Sequence, residues 1–162
     1  MVKRLFMVYV ILSLALAMVA CDQTPSTDET TPTLSVNATQ PQISGFTPRT
    51  LVDNELFTVR ITDIDPKGYW GYTLKVYLEN KTDQELMFST DNVSVNGFMC
   101  DPYWAVTVAP GKKANENISF GEGDFQRNNI QSVEQIEFTL CIYDSNDILA
   151  GNLLEQVFTV NP

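Results

Sequence analysis

The chain has 162 residues, of which 44% are hydrophobic, 20 are Asp or Glu, 10 are Lys or Arg and none is His. Without an imidazole there is no Ser-His-Asp triad, no Cys-His nucleophile pair and no His-ligated zinc or copper site. A formal charge of -10 opposes nucleic-acid binding, which needs a basic surface to displace counterions from phosphate.

Lys3 and Arg4 form a basic start, and Leu5 to Ala20 is a run of 16 residues without a charge, ending directly before Cys21. This layout predicts a secretory signal peptide over residues 1–20. A retained membrane-spanning helix would need about 20 apolar residues. The small Ala20 before Cys21 resembles the lipobox of bacterial lipoprotein precursors, with Met18 at the place where Leu is usual. The resemblance implies that Cys21 carries a diacylglyceryl group, becomes the mature N-terminus and takes up palmitate. The chain would then be lipid-anchored on the extracytoplasmic face of the cell membrane, with the bilayer as its first partner. Two acyl chains anchor stably because each buried methylene contributes about 0.8 kcal/mol. In double-membrane bacteria, Asp22 after such a Cys resembles a signal for retention at the inner membrane.

After Cys21, residues 22–50 hold 15 Ser, Thr or Pro among 29 positions. Such a segment buries too little surface to offset its ordering entropy, so residues 21–50 are expected to form the lipidated Cys and a disordered tether. Asn37-Ala38-Thr39, Asn80-Lys81-Thr82, Asn92-Val93-Ser94 and Asn117-Ile118-Ser119 fit the N-glycosylation pattern. In a bacterial chain they read as chance matches.

Residues 51–162 are expected to form one domain with a period of two. Phe57, Val59 and Ile61 alternate with Thr58, Arg60 and Thr62, and Tyr72, Leu74, Val76 and Leu78 alternate with Thr73, Lys75, Tyr77 and Glu79. Further runs lie at Leu86 to Phe88, Val93 to Val95, Trp104 to Val108 and Ile118 to Phe120. Ile136, Phe138, Leu140 and Ile142 make another apolar face, and Gln156 to Val160 a last strand. Turn signals separate them at Asp65-Pro66-Lys67-Gly68, Asn96-Gly97, Ala109-Pro110-Gly111 and Asp144-Ser145-Asn146-Asp147. Asp124 to Ile130 reads as one helical turn with Asp124 as its N-cap. The pattern predicts an all-β, antiparallel sandwich of seven to eight strands with one short helical turn.

Leu78-Glu79-Asn80-Lys81-Thr82-Asp83, Val93-Ser94-Val95-Asn96-Gly97, Val108-Ala109-Pro110-Gly111-Lys112-Lys113 and Ile136-Glu137-Phe138 resemble a family of small lipoproteins from Gram-positive bacteria. Their globular part is an immunoglobulin-like domain of unknown function. The resemblance covers nearly all of residues 52–160 and implies an immunoglobulin-like sandwich with an extracytoplasmic address. Its motifs are strand ends and turns, and they carry no catalytic residue across.

Once Cys21 is assigned to lipid, Cys100 and Cys141 remain as a pair, which outside the cytoplasm is either a disulfide or two free thiols. A bridge closing about 40 residues would contribute roughly 4 kcal/mol. Alternation puts Cys141 with Glu137, Thr139 and Tyr143 on the outer side of its sheet. Asp63 with Asp65, and Asp144 with Asp147, offer oxygens to calcium, but Asp in turns commonly bonds the local backbone instead. A carboxylate pair for glycosidase chemistry needs a cleft that sequence spacing does not define.

Aromatic residues gather at Tyr69-Trp70-Gly71-Tyr72 and at Phe98 to Trp104. Exposed together, Tyr69, Trp70, Tyr103 and Trp104 would make a sugar- or peptide-binding surface. The plainer alternative puts Tyr72 and Trp104 in the core with the others covering strand ends, whereas a bulge at Gly71, at a strand start, would favour the exposed surface. Lys112-Lys113 is too short for a basic patch, and Met87 with Met99 does not make a copper site. No catalytic residue, metal ligand or cofactor is assigned. The sequence therefore predicts a non-catalytic binding domain for an envelope or extracellular protein or a glycan. The alternatives are a carboxylate-dependent hydrolase of envelope polysaccharide and a structural part of an envelope complex.

Overall fold

The computed structural model describes residues 45–162, so the signal segment, Cys21 and the tether as far as Ser44 lie outside the described residues. Among the described residues nine strands form two antiparallel sheets: β1 Arg49–Asp53, β2 Phe57–Gly68, β3 Gly71–Asn80, β4 Leu86–Val95, β5 Phe98–Met99, β6 Ala105–Val108, β7 Lys113–Phe120, β8 Ile136–Asp144 and β9 Leu154–Val160. Among the described residues a single helix, α1 Glu122–Arg127, follows β7, and a 3-10 turn at Ile148–Ala150 precedes β9. The first sheet runs β1-β2-β3-β7. In the second, β5 and β6 share one flank of β4, and β8 and β9 follow on the other.

This is the all-β sandwich that the period-two pattern predicts, with its strand order now defined. β1, β2 and β3 are consecutive neighbours in one sheet, whereas antibody constant domains send their third strand to the opposite sheet. The two sheets meet through their alternating apolar positions. Phe57, Val59 and Ile61 of β2 and Leu74, Val76 and Leu78 of β3 face Phe88, Val95, Ile136, Phe138, Leu140 and Ile142 of the second sheet, all buried. The rings of Phe57 and Phe88 meet edge to face across the layers, 6.4 Å apart and at 85°. Burial of each such side chain contributes about 1.5 to 3 kcal/mol, which makes this layer the main source of stability.

Several boundaries differ from the sequence reading for identifiable reasons. β1 begins at Arg49, two residues before the expected domain start, and Phe46 packs against the core. The runs at Leu86 to Phe88 and Val93 to Val95 are one strand, β4, interrupted by a register shift between Asp91 and Ser94 with Asn92 at φ 50°. A bulge adds a residue and reverses which face the following side chains take, which breaks the alternation. Asp65 to Gly68 belong to β2, and the turn itself is Tyr69-Trp70. Finally, α1 starts at Glu122 after Gly121, without a side-chain cap, so Asp124 lies inside the helix and does not cap it.

Candidate functional site

The strand register brings the Tyr69-Trp70 turn and the Phe98-Met99 strand to one end of the sandwich. At that end β2 finishes at Gly68 opposite Gly71, and Tyr72 pairs with Phe120, where β7 leads into α1. In the other sheet β4 finishes at Val95, opposite Ile136 of β8 and Phe98 of β5. The loops that carry residues 69–70, 96–97 and 121–135 therefore share this end, while the segment after β5 runs back beside β4, where the Thr90 N–H donates to the Trp104 carbonyl. Asn96 ties two of them: its Nδ2 donates to the Ser132 carbonyl at 2.7 Å, and its Oδ1 accepts from the N–H groups of Glu134 and Gln135.

Three of the four expected surface rings are exposed. Tyr69 and Trp70 pack edge to face at 4.8 Å on the hairpin tip, with Trp70 74% exposed. Tyr103 is 91% exposed. Trp104 instead packs against the core, as the plainer reading has it, and Tyr72 is buried 6.1 Å from the Phe125 ring of α1. Gly71 does not sit at a bulge: it opens β3 at φ 110°, and the register irregularity lies between Asp65 and Gly68.

Between the Tyr103 segment and α1 runs a groove of about 540 Å³ lined by Met99, Asp101, Tyr103, Asp124, Arg127 and Asn128. Asp101 Oδ1 accepts from the Tyr103 N–H at 2.7 Å. Tyr103 is held at φ 49°, a left-handed conformation that bulky residues seldom adopt. Across the groove Arg127 pairs with Asp124 one helical turn away. The Asn128 amide donates to the Asp124 carbonyl at 3.0 Å and reaches Cys100 Sγ at 3.9 Å. The groove thus offers carboxylates, a guanidinium and an amide beside a projecting ring. Sequence reasoning found Tyr103 but not Asp101, Asp124, Arg127 or Asn128, because only the fold brings the two segments together.

Cys100 and Cys141 are both free and buried, so of the two alternatives the structure has the pair of thiols. Cys100 belongs to the core between the sheets, while Cys141 stands outside that core on the outer side of β8, 7% exposed beneath its neighbours. The body of a sheet separates them. Burial pushes the Cys100 thiol up, helped by the charge of Asp124, and burial likewise raises Cys141, beside Asp91 and Glu155.

The acidic turn residues are engaged locally. Asp63 pairs with Lys75 at 3.0 Å, Asp65 Oδ1 accepts from the Lys67 N–H and Asp144 Oδ1 from the Asn146 N–H. Among the described residues no three Cys, Asp or Glu side chains gather as metal ligands. The outer face of the first sheet carries a shallower groove of about 300 Å³ over Thr58, Arg60, Thr62 and Tyr77. Its rim is tied off by the ion pairs Lys81–Asp53 and Lys113–Glu79.

No family model, curated protein or solved structure matches this chain.

Proposed function

We propose that the chain is a bacterial lipoprotein, anchored through Cys21 on the extracytoplasmic face of the cell membrane, whose sandwich is a non-catalytic binding domain. The observation that carries the binding role is the almost fully exposed Tyr103 ring on a polar groove, with a second exposed pair, Tyr69 and Trp70, on the hairpin tip between β2 and β3. Isolated exposed apolar residues are ordinary, whereas an exposed ring on the lip of a groove marks a contact surface. The anchor rests on the sequence alone, on Lys3, Arg4, the uncharged run and Ala20-Cys21. Among the described residues no helix is long and apolar enough to cross a membrane.

Cells grown with labelled palmitate test the anchor: the wild-type chain takes up label and Cys21→Ser does not, and equal labelling of the two refutes it. Crosslinking on intact cells tests the binding role, which requires a discrete neighbour. Recovery of none counts against it.

A second reading, a hydrolase acting on envelope polysaccharide, draws support from Asp101 and Asp124 lining the same groove. Both carboxylates are already engaged, one by the Tyr103 N–H and the other by Arg127. A general acid needs a carboxyl free to hold and release its proton. Release of reducing ends from purified peptidoglycan, abolished in Asp101→Asn, would establish the hydrolase in place of the binding domain.

A further inference from the structure

We infer that the groove between Tyr103 and α1 binds a neutral, polyhydroxylated ligand, a segment of envelope glycan, with the Tyr103 ring as its stacking platform; this rests on the binding role proposed above. Its volume of about 540 Å³ falls within the roughly 300 to 1,000 Å³ of small-molecule sites. Its lining is polar, with carboxylate oxygens of Asp101 and Asp124 that accept, guanidinium N–H groups of Arg127 that donate, and the Asn128 amide. Vicinal hydroxyls supply both donors and acceptors, which is the complement this mixture requires.

The ring supplies the other half of sugar recognition, a flat apolar face for the C–H side of a pyranose. Tyr103 makes no packing contribution that explains it, because the ring is almost wholly in solvent. Its backbone also holds a conformation that costs an ordinary residue roughly 1 to 2 kcal/mol. Asp101 ties the Tyr103 N–H and also lines the groove, so one residue anchors the backbone that carries the ring and faces the ligand. Backbone strain held in place by neighbours is characteristic of functional positions.

Charge selects among ligands. The chain carries a formal charge of -10, and two of the three charged side chains in the groove are carboxylates. Polyanions such as teichoic acid or anionic lipid headgroups are repelled, and a neutral glycan is not.

The test uses the full-length chain in detergent micelles, titrated with the β-1,4-linked hexamer of N-acetylglucosamine and mixed with purified peptidoglycan stripped of anionic polymer. The wild type binds both. Tyr103→Ala weakens hexamer binding about tenfold, as loss of one stacked ring implies. Tyr103→Phe keeps it, which separates stacking from the hydroxyl. Asp101→Asn, which keeps the acceptor for the Tyr103 N–H, weakens binding without moving the melting temperature. Leu149→Ala, in the exposed 3-10 turn before β9, binds as the wild type does. Failure of the wild type to bind either probe overturns the inference, and so does full affinity in Tyr103→Ala. If the glycan fails while crosslinking on cells recovers a protein neighbour, the ligand assignment falls and the proposed binding role stands.

Discussion

The side-chain amide of Asn80 donates to the Val108 carbonyl at 2.8 Å, joining the end of a strand in one sheet to the end of a strand in the other. Asn80 is 1% exposed and uses its whole side chain. Its second N–H goes to the Gln84 carbonyl at 2.7 Å, and Oδ1 accepts from both the N–H and the hydroxyl of Thr82. Asn80 and Thr82 of the Asn-Lys-Thr-Asp segment therefore form a clamp where β3 leaves its sheet.

Asn80→Ala removes these bonds and leaves the buried Val108 carbonyl without its side-chain donor, so it is expected to lower stability by about 1 to 3 kcal/mol. Urea unfolding at neutral pH measures this as a lower midpoint with an unchanged slope. A change below about 0.5 kcal/mol would mean that water replaces the clamp at no cost.

Gly71 and Gly97 separate two reasons for glycine. Both hold positive φ, at 110° and 81°, but a Cβ on Gly71 would lie 2.1 Å from the Phe120 carbonyl oxygen, while one on Gly97 meets open space. Gly97→Ala should cost about 1 to 2 kcal/mol, the left-handed strain alone. Gly71→Ala adds an overlap with backbone worth roughly 1 to 3 kcal/mol more. Thermal melts of the two variants side by side check the difference, and equal losses would contradict the close approach of β3 and β7.

Alternation made the core legible before the fold was known: Ile136, Phe138, Leu140 and Ile142 are all buried, as are Phe57, Val59 and Ile61. What the pattern hid follows from features that leave no period. The bulge at Asn92 reversed the faces of β4 and made one strand look like two. β1 is a short edge strand of mixed exposure with little alternation to read. The groove was invisible for a different reason. Asp101 and Tyr103 lie more than twenty residues from Asp124 and Arg127 in sequence, and only the fold, which sets Asn128 after α1 against Cys100, brings them together.

The buried acids predict how the fold responds to alkali. Cys100 and Cys141 have an ordinary value of 9.0 and are raised by burial, and Tyr72 is pushed by burial from 10.0 to about 12. In each case the unfolded chain loses its proton at lower pH than the folded one. The stability these groups contribute is complete below about pH 9 and falls as pH rises through the folded values. Urea midpoints measured from pH 7 to 12 should hold steady and then decline from about pH 9. Tyr72→Phe, with no hydroxyl to ionise, should lose less between pH 10 and 12. A flat profile would refute the burial of all three groups.

The same burial predicts thiol behaviour. Thiolates are the reactive species, so raised thiols shielded from solvent react slowly. Iodoacetamide at pH 7.5 should leave Cys100 and Cys141 unmodified in the folded chain and alkylate both in denaturant without any reductant. Peptide mapping reads this position by position. A Cys100–Cys141 peptide joined by a disulfide would contradict the separation of the two residues by the sheet.

Tyr103 offers a substitution in which stability and binding should part company. Its φ of 49° is one that Asn adopts with little penalty and Tyr does not. The ring is almost fully exposed, so removing it sacrifices little packing. Tyr103→Asn is therefore expected to stabilise the fold by about 0.5 to 1.5 kcal/mol, within the usual range for relief of local strain. The N–H that Asp101 accepts is a backbone group and survives the change. If the ring is retained for a ligand, the variant that folds more stably will be the one that no longer binds glycan. Differential scanning calorimetry and hexamer titration on the same preparation measure both. A variant that is less stable than the wild type would show that the ring supports the loop in which it sits, and the strain would then need no functional explanation.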